Sequence, residues 1–177
     1  VATPGTLIVL GDNWVRVGHL RRRDEALAAL LDEGRVATHS FALGELALGG
    51  AAVIIVEPRA DQTMDGSRAG GLHARTIEVL DQRGIAERFL EAGEVMQTQG
   101  FAYVRLDISD FPTRRDHGLA LYQSEFEPIL ADWVASLGVP TLHGRSVTGF
   151  VPDDAGIDVE LADGEVLRAQ YLVGCDG

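Results

Sequence analysis

Two short apolar runs, joined by segments of helical periodicity, constrain the fold of this chain more than any other feature. Residues 7–10 (LIVL) and 52–56 (AVIIV) are continuous apolar runs, a pattern typical of strands that a parallel sheet buries on both faces. Between them, residues 21–33 and 40–48 carry leucines at helical spacing, and a glycine follows each segment. The order strand, helix, strand predicts an α/β fold with a parallel sheet and crossover helices.

The rest of the chain predicts further helices and a small antiparallel meander. Helical periodicity recurs at residues 72–83, 85–91 and 124–137. In the last of these, Ser124 and Glu127 have the spacing of a capping box. Alternating patterns between turn sequences predict strands at residues 147–151, 157–161 and 166–169, followed by a strand at 171–173. No linker sequence requires a second domain.

Composition and charge exclude several classes of function. The chain has 177 residues and a formal net charge of −12, which argues against a protein that binds nucleic acid through its phosphates. It has no apolar run of the roughly 18 residues that cross a bilayer, so no membrane association is predicted. Cys175 is the only cysteine, so no internal disulfide can form, which fits a cytoplasmic protein. The histidines lack the close spacing of metal ligands, and no nucleophile with an adjacent base is visible, so neither a metal site nor a catalytic residue is predicted.

Three local features predict ligand contacts, and each has a structural alternative. Glu57 closes the second strand, where a carboxylate can accept both hydroxyl hydrogens of an adenosine ribose; the alternative is a solvated strand-end carboxylate. Arg68, His73 and Arg75 lie in and after a glycine-rich loop, where they can hold a pyrophosphate; the alternative is a group of surface side chains. Residues 174–177 (GCDG) predict a turn at the carboxyl edge of the sheet, with an ordinary turn as the alternative.

Four stretches occur in an order that points to one family. They are residues 44–50 (GELALGG), 53–57 (VIIVE), 67–84 (SRAGGLHARTIEVLDQRG) and 171–177 (YLVGCDG). With them, residues 41–177 resemble the FAD-dependent aromatic hydroxylases of the para-hydroxybenzoate hydroxylase type. Within that family the chain is most similar to actinobacterial aromatic polyketide hydroxylases and rifampicin monooxygenase. The resemblance implies a Rossmann-like FAD-binding domain, incomplete in this chain, with a parallel sheet, crossover helices and a small antiparallel meander.

The resemblance also implies contacts to the adenosine and pyrophosphate parts of FAD. Gly11 stands where the family's glycine motif begins, and Glu57 would hold the ribose. The backbone at Val147 would lie near the adenine. Asp176, in the Cys-Asp-Gly sequence, would support binding of both the pyrophosphate and NADPH.

The same resemblance implies further cofactor contacts and the chemistry of the family. Arg68 and Arg75 would lie along FAD from the ring side to the pyrophosphate, and Gln123 would contact the cofactor at the start of the long helix. In the family, NADPH reduces FAD, oxygen adds to form a flavin hydroperoxide, and its distal oxygen is delivered to an electron-rich phenolic ring. The implied substrate is a small aromatic compound, phenolic or polyketide. Because the cofactor performs the hard chemistry, the absence of a visible catalytic residue is expected.

Residues 1–40 depart from the family. A strand followed at once by Gly-x-Gly-x-x-Gly is expected there, but Gly11 is followed by Asp12, and Trp14 and Arg16 occupy positions that require small residues. Residues 1–40 are therefore interpreted as an atypical segment, foreign or frameshifted, ahead of family-like residues 41–177. The alternative is a true insertion that keeps residues 7–10 as the first strand. Pro58 is a lesser departure, because the residue after the acidic one is usually basic in the family.

The family's second FAD motif and its substrate domain would follow Gly177. We therefore expect the 177-residue chain alone to bind FAD weakly or not at all and not to hydroxylate. Two functional hypotheses follow: part of an FAD- and NADPH-dependent aromatic monooxygenase, or a noncatalytic remnant or nucleotide-binding module that has lost FAD binding. An unrelated dinucleotide-binding oxidoreductase is disfavoured by the lack of a glycine-rich motif. The sequence assigns neither a particular substrate nor an oligomeric state.

Overall fold

The computed structural model describes residues 6–11, 39–61, 66–67 and 69–175. The chain divides into two compact units: the first comprises Val1–Gln62 and Leu130–Gly177, and the second comprises Thr63–Ile129. Among the described residues, no helix has both the length and the apolar character needed to cross a membrane. The predicted helix at residues 21–33 lies outside the described residues.

The described residues form four helices and twelve strands. The helices are α1 (His39–Leu48), α2 (Ala74–Gln82), α3 (Ala86–Ala92) and α4 (Gln123–Ser136). The strands are β1 (Thr6–Gly11), β2 (Ala52–Glu57), β3 (Gly71–Leu72), β4 (Glu94–Met96), β5 (Thr98–Phe101), β6 (Val104–Asp107), β7 (Gly118–Ala120), β8 (Thr141–His143), β9 (Val147–Asp153), β10 (Gly156–Leu161), β11 (Val166–Ala169) and β12 (Tyr171–Cys175).

A parallel sheet with the strand order β12-β1-β2-β8 forms the centre of the first unit. The apolar runs at residues 7–10 and 52–56 form its adjacent inner strands, β1 and β2, in a register that pairs Leu10 with Val56. On its other side, β1 pairs with β12, and Gly11 lies opposite Cys175. The predicted α/β fold with a parallel sheet is therefore confirmed, and β12 and β2 lie on opposite sides of β1.

Helix α1 forms where the sequence predicts it and packs in the core of the first unit. Phe41, Leu43 and Leu46 are almost fully buried, and because residues two apart lie on opposite sides of a helix, α1 is buried on more than one face. The ring of Phe41 stacks on that of Trp133, with centroids 5.6 Å apart and an interplanar angle of 27°. The helix ends at two glycines, and Gly50 has a φ of +84°, a conformation that glycine adopts without strain.

The predicted meander is also present, as an antiparallel sheet in the order β11-β10-β9. Its inner side chains Val159, Leu161 and Leu167 form a buried cluster with Val56 of the parallel sheet. Alternation of buried and exposed residues along β10 and β11 thus reflects one face packed on the core.

The second unit combines α2 and α3 with short antiparallel strands. Strands β3, β7 and β4 form one sheet in the order β3-β7-β4, and β5 and β6 form a separate two-stranded sheet. Ile77, Leu80 and Phe89 are buried side chains of the two helices. Gly71 lies so close to β7 that an added Cβ would stand 2.6 Å from the carbonyl oxygen of Leu119, so this position requires glycine.

Local boundaries differ from the sequence predictions. Helix α2 starts at Ala74, two residues after the approximate start at residue 72, since Gly71–Leu72 pairs with β7. Gly174 and Cys175 continue strand β12, and the other two residues of the predicted turn lie outside the described residues. Helix α4 starts at Gln123, before the predicted cap.

The predicted capping box of α4 is replaced by a different set of bonds. The carboxylate of Glu125 accepts the backbone N–H of Tyr122 at 3.1 Å. Ser124 lies inside the first turn, where its N–H donates to the hydroxyl of Ser67 at 3.0 Å. Ser67, a residue distant in sequence, therefore accepts one of the N–H groups at the start of α4, the helix that Ser124 was predicted to cap.

Candidate nucleotide-binding site

The carboxyl ends of the parallel strands form the edge of the first unit that carries the candidate site. Gly11 ends β1, Glu57 ends β2 and His143 ends β8, while Cys175 ends β12 opposite Gly11. Open α/β sheets bind ligands outside the carboxyl ends of their strands, at the point where successive connections run to opposite sides. Strand β1, between β2 and β12, is at that position.

Glu57 is buried at this edge and is held by a nearby arginine. Its side chain is 3% exposed, and its Oε1 accepts the backbone N–H of Arg59 at 2.9 Å and the Nε–H of Arg59 at 3.1 Å. Its Oε2 accepts Nη2–H of Arg59 at 2.9 Å. The solvated strand-end carboxylate is therefore excluded. A buried carboxylate is costly unless it is paired and hydrogen-bonded, and Arg59 provides both.

The backbone around this ion pair is anchored to the loop that follows β8. The carbonyl of Arg59 accepts the N–H of Gly144 at 2.9 Å, and the carbonyl of Glu57 accepts the N–H of Arg145 at 3.2 Å. Val147 starts the next strand and packs against the cluster that contains Val56. Adjacent residues of a strand point to opposite faces of the sheet, so this contact places Val147 in the same unit as Glu57 but on the face of Val56.

Arg75 lies in the first turn of α2, in the second unit, and is largely exposed. Its guanidinium donates to Glu78 at 3.1 Å, an ion pair between residues three apart on the helix. The pKa of Glu78 is lowered, mainly by the hydrogen bond that the Thr113 hydroxyl donates to it and next by the one from Arg75. The role of Arg75 toward a pyrophosphate stays a prediction.

His73 and Gln123 also lie in the second unit, in defined local settings. His73 precedes α2 without a side-chain capping bond, and its Nδ1 is 3.1 Å from Oε1 of Gln99. Gln123 is buried; its N–H donates to the carbonyl of Ala69 at 3.0 Å, and its side-chain amide donates to Glu127 at 3.4 Å. The role of Gln123 as a cofactor contact also stays a prediction.

Of the seven predicted cofactor positions, Arg68 and Asp176 lie outside the described residues. The structure places Gly11, Glu57 and Val147 in the first unit, and it places Arg75 and Gln123 in the second. Within the described part of the chain, no group of three or more His, Cys, Asp or Glu residues could hold a metal ion.

Sequence reasoning missed Arg59. It is two residues after Glu57 instead of next to it, and its guanidinium contacts the carboxylate where the chain bends at residues 58–61. The signal available in the sequence was a basic residue two positions after Glu57, where the family usually has one directly after the acidic residue. Proline at the intervening position restricts the backbone.

The chain is similar to a family of FAD binding domains and to known monooxygenases over most of its length. The family described as "FAD binding domain" matches residues 40–177. Rifampicin monooxygenase of Streptomyces venezuelae is 45% identical over 138 residues, which cover 76% of this chain and 28% of that protein. The 12-dehydrotetracycline 5-monooxygenase/anhydrotetracycline 6-monooxygenase of Streptomyces rimosus is 37% identical over 138 residues, covering 75% of this chain and 27% of that protein.

Solved structures of aromatic hydroxylases share this fold. The anhydrotetracycline hydroxylase OxyS from Streptomyces rimosus matches with a TM-score of 0.73 and 30% identity, covering 97% of this chain and 31% of that one. CabE, an aromatic hydroxylase from angucycline biosynthesis, matches with a TM-score of 0.71 and 28% identity, covering 99% of this chain and 31% of that one. The chain therefore spans less than a third of the length of these relatives.

Proposed function

This chain belongs to the FAD binding domain family, and from that membership we propose that it supplies the adenosine-binding part of an FAD-dependent monooxygenase that hydroxylates an aromatic substrate. The observation that carries the proposal is the buried carboxylate of Glu57 at the carboxyl end of β2. The monooxygenases and hydroxylases to which the chain is similar support the reaction class. Their names, which refer to rifampicin, anhydrotetracycline and angucycline biosynthesis, favour a polyketide or a related phenolic compound as the substrate.

The residues of the first unit fit the adenosine part of FAD in donor and acceptor type. An ionised carboxylate only accepts hydrogen bonds and a ribose hydroxyl donates one, so Glu57 is complementary to it in type. The backbone at Val147 is the proposed neighbour of the adenine, and Gly11 leaves room for a backbone approach. The residues after Gly11 fit less well, because Asp12 and Trp14 replace the small residues of the glycine motif.

FAD, when bound, would supply the redox and oxygen-activating chemistry, with NADPH as the proposed electron donor. The protein groups bind and orient it. Glu57 would accept the ribose hydroxyls; Arg68, Arg75 and Asp176 are proposed contacts of the pyrophosphate, and Gln123 a further cofactor contact.

A titration of the purified 177-residue chain with FAD and with ADP tests the proposal. We expect saturable but weak binding of both, followed by flavin fluorescence for FAD and by calorimetry for ADP. Glu57→Gln should weaken the binding of FAD and of ADP by roughly tenfold, because one charged acceptor of the ribose hydroxyls is lost. Glu160→Gln is the matched control, since Glu160 is an exposed carboxylate of β10 in the same unit.

Other outcomes have defined meanings. A folded chain of the correct mass that binds neither ligand would contradict the proposal and favour a noncatalytic remnant, for which the residues after Gly11 are the supporting observation. Equal losses in Glu57→Gln and Glu160→Gln would show that Glu57 has no specific role. The whole reaction would be tested by joining the chain to the part of a relative that it does not span. NADPH oxidation by this longer protein would then be assayed with aromatic polyketides.

A further inference from the structure

We propose that Arg59 is a positioning residue for ribose recognition: it holds the Glu57 carboxylate ionised and in a fixed plane, so that the two side chains act as one unit in recognising a ribose hydroxyl. This inference rests on the proposed function, because it concerns the same nucleotide site. Arg59 itself need not touch the ligand.

The geometry of the pair supports an orienting role. A hydrogen bond at one carboxylate oxygen leaves the group free to rotate about its terminal bond. Arg59 instead contacts both oxygens, with its backbone N–H and Nε–H at Oε1 and its Nη2–H at Oε2, at 2.9, 3.1 and 2.9 Å respectively. A guanidinium fork of this kind fixes the plane of the carboxylate as well as its position.

The backbone holds the guanidinium in place. Arg59 is only partly exposed, and its carbonyl is bonded to the N–H of Gly144 in the loop after β8. Pro58 restricts the backbone between acid and base. The orientation of the pair is therefore set by tertiary contacts before any ligand arrives, which lowers the ordering cost of binding.

Charge gives a second reason for the role. The Glu57 side chain is 3% exposed, and an ionised carboxylate at that depth needs a counter-ion. Only the ionised form accepts hydrogen bonds at both oxygens without donating one. Arg59 takes both lone-pair sites of Oε1 and one of Oε2, so a ribose hydroxyl would be accepted at Oε2.

The test compares ADP with 2′,3′-dideoxy-ADP, which lacks the hydroxyls assigned to Glu57. Calorimetric titrations are made on the wild-type chain, Arg59→Ala, Arg59→Lys and the control Arg168→Ala. Arg168 forms its ion pairs with Asp153 and Asp158 of the meander, so its loss changes the net charge equally without touching Glu57. Circular dichroism checks the fold of each variant.

We expect the wild-type chain to prefer ADP over the dideoxy analogue by roughly tenfold, the effect of a charged hydrogen-bonding group. Arg59→Ala should bring this ratio close to one by weakening ADP alone. Arg59→Lys keeps the charge but loses the fork, so it should retain part of the preference. Arg168→Ala should behave as wild type.

Several outcomes would overturn the inference, and they can be told apart. An unchanged preference in Arg59→Ala would refute the role of Arg59 while leaving the proposed function intact. Tighter ADP binding in that variant would show that Arg59 competes with the ribose instead. Equal weakening of both ligands would indicate a purely structural role. A wild-type chain that binds neither ADP nor FAD would overturn the proposed function, and this inference with it. If Arg59→Ala does not fold, the preference of Arg59→Lys decides.

Discussion

Single residues at the surface of the first unit show how an arginine sets the charge state of its neighbours. Arg168 on β11 donates to Asp153 at 2.6 Å and to Asp158 at 3.2 Å. The pKa of Asp153 is lowered to about 2, first by the hydrogen bond from Arg168 and then by the backbone N–H of Ala155. Asp153 is half exposed, so solvent screens the pair and its contribution to stability is small.

The lowered pKa predicts a pH-dependent effect of Asp153→Asn. A carboxylate whose folded pKa is below its unfolded value stabilises the fold above the unfolded pKa and loses that contribution as pH falls through the folded value. The wild-type chain should therefore be more stable than Asp153→Asn at neutral pH, and the difference should shrink between about pH 4 and about pH 2. Urea unfolding at several pH values measures it. Asp154→Asn, at the exposed neighbouring position, is the control; a difference that persists at the lowest pH would contradict the assignment.

At the scale of elements, the contact between α1 and Trp133 depends on one glycine. A Cβ added at Gly44 would overlap three ring carbons of Trp133, with Cε3 at 2.8 Å. Trp133 is buried and also stacks on Phe41, so its ring cannot move without disturbing the core. Glycine is unfavourable inside a helix, which makes close packing the reason for its presence here.

Gly44→Ala should therefore destabilise the chain, although alanine is the better helix former. We expect a loss of about 1–3 kcal/mol in the free energy of unfolding, the usual cost of overpacking a core. Urea unfolding gives the value. Gly100→Ala is the matched control, because an added Cβ there meets nothing within 4 Å. Comparable losses in the two variants would show that the contact with Trp133 is not the cause.

At the scale of the whole molecule, the chain forms two compact units of different construction. In the first, β1 and β2 are inner strands with a hydrogen-bonded neighbour on each side. In the second, β5 and β6 form a two-stranded sheet among the described residues, and Tyr103, Val104 and Leu106 are exposed. Isolated two-stranded sheets have little stability of their own.

Hydrogen exchange should reflect this difference. Amide protons of β1 and β2 should be the slower to exchange, since they are released only by opening of the sheet, and those of β5 and β6 should exchange roughly tenfold faster or more. Mass spectrometry of peptic peptides provides the measurement. Equal protection of the two regions from exchange would mean that the amide groups of β5 and β6 are shielded from solvent.

Much of the fold followed from the sequence alone because its signals are local. The apolar runs that became β1 and β2, the leucine spacing of α1 and the alternation of the meander each depend on neighbours a few residues apart. The family-specific stretches between residues 44 and 84 likewise carry the resemblance without any knowledge of contacts. Short strands such as β3, β7 and β8 were missed, because two or three residues have no measurable periodicity.

The tertiary structure decided what depends on partners distant in sequence or on the path of the chain. Ser67 satisfies the first turn of α4 from 57 residues away, and Leu119 restricts position 71 to glycine. Glu57 was a candidate from sequence, but only the structure shows that it is buried and paired with Arg59. The sequence by itself determined the elements and the family; burial and ion pairing, which set the chemistry of Glu57, exist only once those elements pack and exclude water.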